Sequence, residues 1–197
     1  MSILTTPLPK TVTVGGREYP INHDFRVGIS YEIMMFDDEI KAEEKPLRAL
    51  ALYYSEIPAD DLEAALKWIQ WFYACGKTSV QTKGRGRGRN ERIYSFDDDE
   101  YIYAAFLEQY GIDLNDADYL HWWKFKALFG ALNDECQIRK IMGYRGMEIS
   151  DKLTNEQKDF YRKMKETYKI PMSKNEQEKT DAIQEALLNG GDLKGVL

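Results

Sequence analysis

The chain has 197 residues, enough for one domain whose core needs no staples. Its 27 basic and 33 acidic residues leave a formal charge of −6, and 43% hydrophobic against 30% charged residues excludes disordered and fibrous classes. No apolar run approaches the roughly 18 residues of a membrane span, and Met1 to Lys10 lacks a signal peptide's basic start and apolar run, so the expected compartment is a cytoplasm.

Lys10 to Ile21 reads KTVTVGGREYPI. Alternating Thr11-Val12-Thr13-Val14, the Gly15-Gly16 pair and Arg17-Glu18-Tyr19 predict two short strands joined by a two-residue turn, ended by Pro20. A lone hairpin is marginal in water and has to pack on other elements. From Asn22 the period becomes helical: Phe25, Ile29, Ile33 and Phe36 share a face, with Asn22 or Asp24 as cap and an end near Asp37. Asp37, Asp38, Glu39, Glu43 and Glu44 against Lys41 give −4, the pattern of a solvated turn. Pro46 opens a second helix with Leu47, Leu50 and Tyr54 on one side, ended before Pro58. Asp60 and Asp61 open a third, with Leu62, Leu66, Ile69 and Tyr73 in its stripe, widened by Ala65, Trp68 and Phe72, and Gly76 as its stop.

The tract KGRGRGRNER breaks the pattern. Lys83, Arg85, Arg87, Arg89 and Arg92 against Glu91 give +4, which leaves −10 for the rest of the chain. Alternating glycine opposes helix and strand alike, which predicts a flexible linker. Beyond it the chain is dense in rings: 11 of its 25 aromatic residues fall within the 40 residues from Glu91 to Gly130. Ser95 and the acids Asp97 to Glu100 predict a capped helix that ends at Gly111. Asn115 is placed to cap the next, with Leu120, Trp123, Ala127 and Leu128 as its core stripe and Trp122, Phe125 and Phe129 on an adjoining face. A short helix follows over Asn133 to Met142, stopped by Gly143. Thr154-Asn155-Glu156-Gln157 is a capping box opening a helix with Phe160, Tyr161, Met164 and Tyr168, and a weakly apolar helix is expected from Asn175 to Leu188.

The residues that carry chemistry are sparse. Cys75 and Cys136 lack the spacing of a metal or redox motif and read as small buried hydrophobes. His23 and His121 are the only histidines, which excludes a multi-histidine metal site, and no cofactor is implied. Gly76-Lys77-Thr78-Ser79 imitates a phosphate loop, but Trp71 stands where that motif needs its earlier glycine, and a helix precedes it where the motif needs a strand. Asp97 to Glu100 reads as a negative helix start in place of a cation site, because consecutive acids on a helix point apart. His121 with Asp118 lacks a nucleophile. Arg85, Arg87 and Arg89 resemble arginine-glycine tracts that contact nucleic acid, yet the −10 field of the rest opposes it, and contact with an acidic partner is the better reading. Trp122, Phe125 and Phe129, off the core stripe, are the candidate protein-binding face.

Together these elements predict a mainly α fold: a short N-terminal β-hairpin, then about six to seven helices in two halves joined by the Gly/Arg linker. The expected segments are 1–76, 77–93, 94–171 and a loosely attached 172–197.

The order of motifs is informative in itself. Tyr94-Ser95-Phe96-Asp97, Glu100 to Phe106, Gln109-Tyr110-Gly111-Ile112-Asp113-Leu114, Leu120 to Phe129 and Ile141-Met142-Gly143-Tyr144-Arg145 resemble the bacteriophage "gene product fifteen" family, together with Pro7 to Phe36 and Trp71-Phe72-Tyr73. The resemblance implies a tail-region protein of phages and prophages of Gram-positive bacteria, without catalytic residues. By gene neighbourhood it implies a role like that of tail assembly chaperones, which bind the tape-measure protein and recruit tail tube subunits in the host cytoplasm. The alternatives are a structural virion component, such as a connector or tail subunit, or a nucleic-acid-binding accessory protein. A homo-oligomer is compatible with each.

Overall fold

Gly15 and Gly16 turn the chain back with φ of +57° and +81°, the left-handed pair that a tight hairpin turn requires. On either side Thr11–Val14 (β1) and Arg17–Pro20 (β2) pair antiparallel, with Val12 opposite Tyr19. The computed structural model describes residues 3–77 and 92–171, in which the hairpin is followed by seven helices. Val12, Val14 and Tyr19 point into the core, which spares the hairpin the instability of an isolated one.

The N-terminal helices begin where local chemistry puts them. Asp24, not Asn22, caps α1 (Phe25–Phe36), its Oδ1 accepting from the Arg26 N–H at 2.9 Å. Pro46 lies in the first turn of α2 (Lys45–Tyr53), and Asp61 Oδ1 accepts from the Ala64 N–H at 2.9 Å to cap α3 (Leu62–Tyr73). Their buried faces differ from the expected ones. In α1 Phe25, Val27, Gly28, Tyr31 and Glu32 are buried, whereas Ile33, Met35 and Phe36 stand 46%, 41% and 49% exposed. Gly28 explains the rotation: the Trp122 indole lies so close that a Cβ on Gly28 would come within 2.3 Å of it. Only glycine allows that approach, and it sets which side of α1 meets the core. Leu47 of α2 and Leu62 of α3 are likewise outside, while Leu50, Tyr53, Ile69 and Phe72 are inside.

In the second half the starts move. α4 (Asp99–Tyr110) ends at Gly111, φ +64°, as expected, but Ser95 does not cap it. Ser95 and Asp98 close the preceding turn, the Ser95 N–H donating to Asp98 Oδ2 at 3.0 Å and the Asp97 N–H to Ser95 Oγ at 3.2 Å. α5 (Trp122–Gly130) starts well after Asn115. The Asp113 carboxylate holds the N–H groups of Asn115 and Asp116 in a turn of their own. Residues 120–122 then run beside 23–25, Phe25 donating to the Leu120 carbonyl at 2.8 Å and Trp122 to that of His23 at 2.9 Å. Backbone committed to that pairing cannot begin a helix, so His121 becomes the cap. Asn133 similarly holds the N–H groups of Glu135 and Cys136, and α6 (Gln137–Gly146) starts after them and runs through Gly143, which is exposed. α7 (Asn155–Thr167) opens with the expected capping box. The helix expected over 175–188 lies outside the described residues.

The two halves share one core. Trp122 Nε1 donates to the Tyr73 carbonyl at 2.9 Å and Trp123 Nε1 to that of Phe72 at 2.7 Å, which ties α5 to the end of α3. Cys136 is buried and Cys75 half-buried, both as free thiols.

Candidate functional site

Trp122, Phe125 and Phe129, expected on a binding face, are core residues, 0%, 0% and 5% exposed. Their spacing of i, i+3 and i+7 is itself a helical stripe, and other elements cover it. Phe25 of α1 and Phe106 of α4 stack on Phe125 at 5.3 and 5.0 Å, and Phe96 tilts against it at 6.1 Å. Each large side chain gains about 1.5–3 kcal/mol on burial, and the neighbours close on this ring-bearing stripe; of the expected core stripe Trp123 is buried, Leu120 and Leu128 are half-buried and Ala127 is exposed. Arg85, Arg87 and Arg89 lie outside the described residues, as do Thr78 and Ser79.

His121 is not paired with Asp118. Its Nδ1 accepts from the Trp123 N–H at 3.0 Å, so the proton sits on Nε2, which donates to the Pro9 carbonyl at 3.0 Å. Burial holds its pKa below the ordinary value, and the same cause lowers that of His23, whose ring stacks on it at 5.3 Å. The acids after Ser95 are dispersed: Asp97 accepts from the Ser95 hydroxyl, and Asp98 pairs with Arg145. Among the described residues no group of three or more His, Cys, Asp or Glu is placed to hold a metal, and no helix is long and apolar enough to cross a membrane.

What the packing leaves open is a groove of about 1010 Å³ between the last turn of α1 and α7. Its α1 wall carries the exposed Ile33, Met35 and Phe36, and Ile149 and Ile170 extend the apolar lining on the other side. Its charge is mixed: Glu32, Asp37 and Asp38 line the α1 side, and Arg162, Lys165 and Lys169 outnumber Glu166 on the α7 side. The Arg92 guanidinium covers one face of Phe36 at 3.9 Å, and its buried Nε has no partner among the described residues.

Glu32 also lines this groove, although it is only 6% exposed. Its carboxylate accepts from the hydroxyls of Tyr73 and Tyr94, the latter at 3.3 Å, and Tyr94 accepts in turn from Lys126 Nζ at 3.1 Å. Burial pushes the pKa of both phenols up, and the Glu32 charge adds to this, so both stay protonated donors. Among the described residues no cation pairs with Glu32 directly; Lys126 reaches it only through Tyr94.

The opposite wall hangs on Arg145. Its guanidinium makes two bonds to Asp98, at 2.6 and 2.9 Å, with the two side chains 8% and 11% exposed, and a third to the Tyr168 carbonyl. Lys165 Nζ donates to the Arg145 carbonyl at 2.9 Å. α7 has no fully buried residue of its own, and these polar contacts at its C-terminal end hold it together with Tyr144 of α6, whose ring packs on Phe160 and Tyr168 at 5.9 Å each. Arg145 ends one of the family-like motifs, but neither it nor Glu32 carries a sequence pattern that marks a site. One signal was present: Ile33-Met34-Met35-Phe36 is more consecutive apolar surface than one helix face can bury, which marks an exposed lip.

No curated protein and no solved structure matches the chain. A family model described as Bacteriophage Gp15 protein matches residues 4–170, a span that contains the hairpin, the seven described helices and nearly all of both groove walls. As the ordered aromatic motifs implied, the chain belongs to the bacteriophage Gp15 protein family.

Proposed function

We propose that this phage protein acts in morphogenesis as a non-catalytic tail assembly chaperone, which binds the tape-measure protein and recruits tail tube subunits in the host cytoplasm. The observation that carries the reading is the groove beside α1, with its exposed apolar lip and charged walls. Tape-measure proteins offer long amphipathic helices that need cover until they are packed, and a helix laid in an apolar groove is a recurrent mode of such recognition. The formal charge of −6 favours solubility of the complex. The partner surface is therefore assigned to the groove in place of Trp122, Phe125 and Phe129, whose replacement by alanine tests folding instead of binding.

Co-expression with the tape-measure protein of the same phage is the direct test. The expected outcome is a soluble complex that co-purifies, with the chain absent from purified virions by mass spectrometry. Stoichiometric amounts in virions overturn the chaperone reading in favour of a connector or tail subunit. Retention on heparin would favour the nucleic-acid alternative.

A further inference from the structure

We propose that the groove takes an amphipathic helix of a partner protein whose apolar face carries one arginine or lysine, and that this cation seats on Glu32. The inference rests on the chaperone reading only for the partner's name; the chemistry follows from the groove.

Glu32 is a carboxylate 6% exposed on the same wall as Ile33 and Phe36, one position before the first and one helical turn before the second. An apolar segment that covers those two side chains passes over it. A buried carboxylate is costly unless its charge is matched. Two phenols supply hydrogen bonds to it without charge, and Lys126 stands one residue further off, behind Tyr94. Glu32 lines the groove and no described cation pairs with it directly, so a counter-charge carried by an occupant of the groove can reach it from there. A guanidinium or ammonium on a long alkyl stem suits the task, since the stem lies along apolar surface while the head reaches the acid. On the α7 wall three cations, Arg162, Lys165 and Lys169, against one acid, Glu166, favour acidic residues on the flank of the helix that meets it. At about 1010 Å³, the groove lies at the upper end of small-molecule pockets and is better matched by a peptide segment.

The test uses the full chain and a fluorescein-labelled helical peptide of Leu, Ala, Gln and Glu, about 18 residues long so that it folds on binding, with one arginine in its leucine stripe. A second peptide has glutamine in place of that arginine. The arginine peptide is expected to bind about tenfold tighter than its neutral twin, the scale of a charged hydrogen bond. Glu32→Gln should erase that difference, while Ile33→Ser, at an exposed position, should weaken both. Equal binding of the two peptides to the unaltered chain, a preference that survives Glu32→Gln, or binding of neither peptide overturns the proposal, and the first and last of these need no variant to fold. Binding seen only after residues 172–197 are removed assigns the groove to the chain's own terminus, and competition by a dimer assigns it to a second copy; either also overturns it. If the peptides behave as expected but the tape-measure protein does not co-purify, the chaperone reading fails and the groove chemistry stands. If co-purification survives Glu32→Gln with Ile33→Ser, the groove is not the tape-measure site.

Discussion

His121 shows how a single side chain can be committed entirely to structure. It caps α5 through Nδ1 and ties the N-terminal strand region to the core through Nε2, and both bonds need the neutral ring. Burial lowers its pKa from 6.5, an effect that the bond to the Pro9 carbonyl opposes and the neighbouring His23, Lys124 and Lys10 reinforce. The unfolded chain therefore takes up a proton at a higher pH than the folded one. The stability this contributes is fully present above pH 6.5 and is lost as pH falls through the lower folded value. The urea midpoint is expected to drop between pH 7.5 and 5.5, and His121→Asn, which keeps a capping oxygen, should flatten that dependence while lowering the midpoint at both pH values. A pH dependence unchanged in the variant would place the titration elsewhere, with His23 the next group to replace.

Among elements, α7 is the one held least by its own apolar surface. Its capping box makes it a locally sound helix, but Phe160 is half exposed, and besides the Tyr144 ring its attachment runs through Arg145, Asp98 and the Tyr168 carbonyl. Removing one member of a buried ion pair strands the other and costs about 3–5 kcal/mol. Arg145→Ala is accordingly expected to destabilise the chain by about 3 kcal/mol in urea unfolding and to speed hydrogen exchange across α7 more than across α5. Arg145→Lys should recover little, because an ammonium cannot make the paired bonds to Asp98. Equal loss of protection in α5 and α7 would mean that the ion pair supports the whole core and not the groove wall.

At the scale of the molecule, one core joins segments on both sides of residues 78–91, with α5 inserted between α1, α3 and α4. Urea unfolding followed by far-ultraviolet circular dichroism and by tryptophan fluorescence is expected to give one superimposable transition, since Trp68 and Trp71 lie in the first half and Trp122 and Trp123 in the second. Residues 1–77 and 92–197 made separately should each lack a folded near-ultraviolet signal; a folded half would show two cores. The sequence by itself determined whatever depends on a few neighbouring residues: the Gly15-Gly16 turn, the caps at Asp61 and Thr154, the Pro46 start, the Gly111 stop and the mainly α class. Family membership was legible for a related reason, because it lies in the order of motifs along the chain. Face, helix start and site were decided by residues distant in sequence. Trp122 against Gly28 chose which side of α1 goes in, and the pairing of 120–122 with 23–25 delayed α5. With two apolar stripes on α5, periodicity could not tell core from surface; the neighbours close on the stripe of Trp122, Phe125 and Phe129, while Ile33, Met35 and Phe36 of α1 stay exposed beside the buried carboxylate of Glu32.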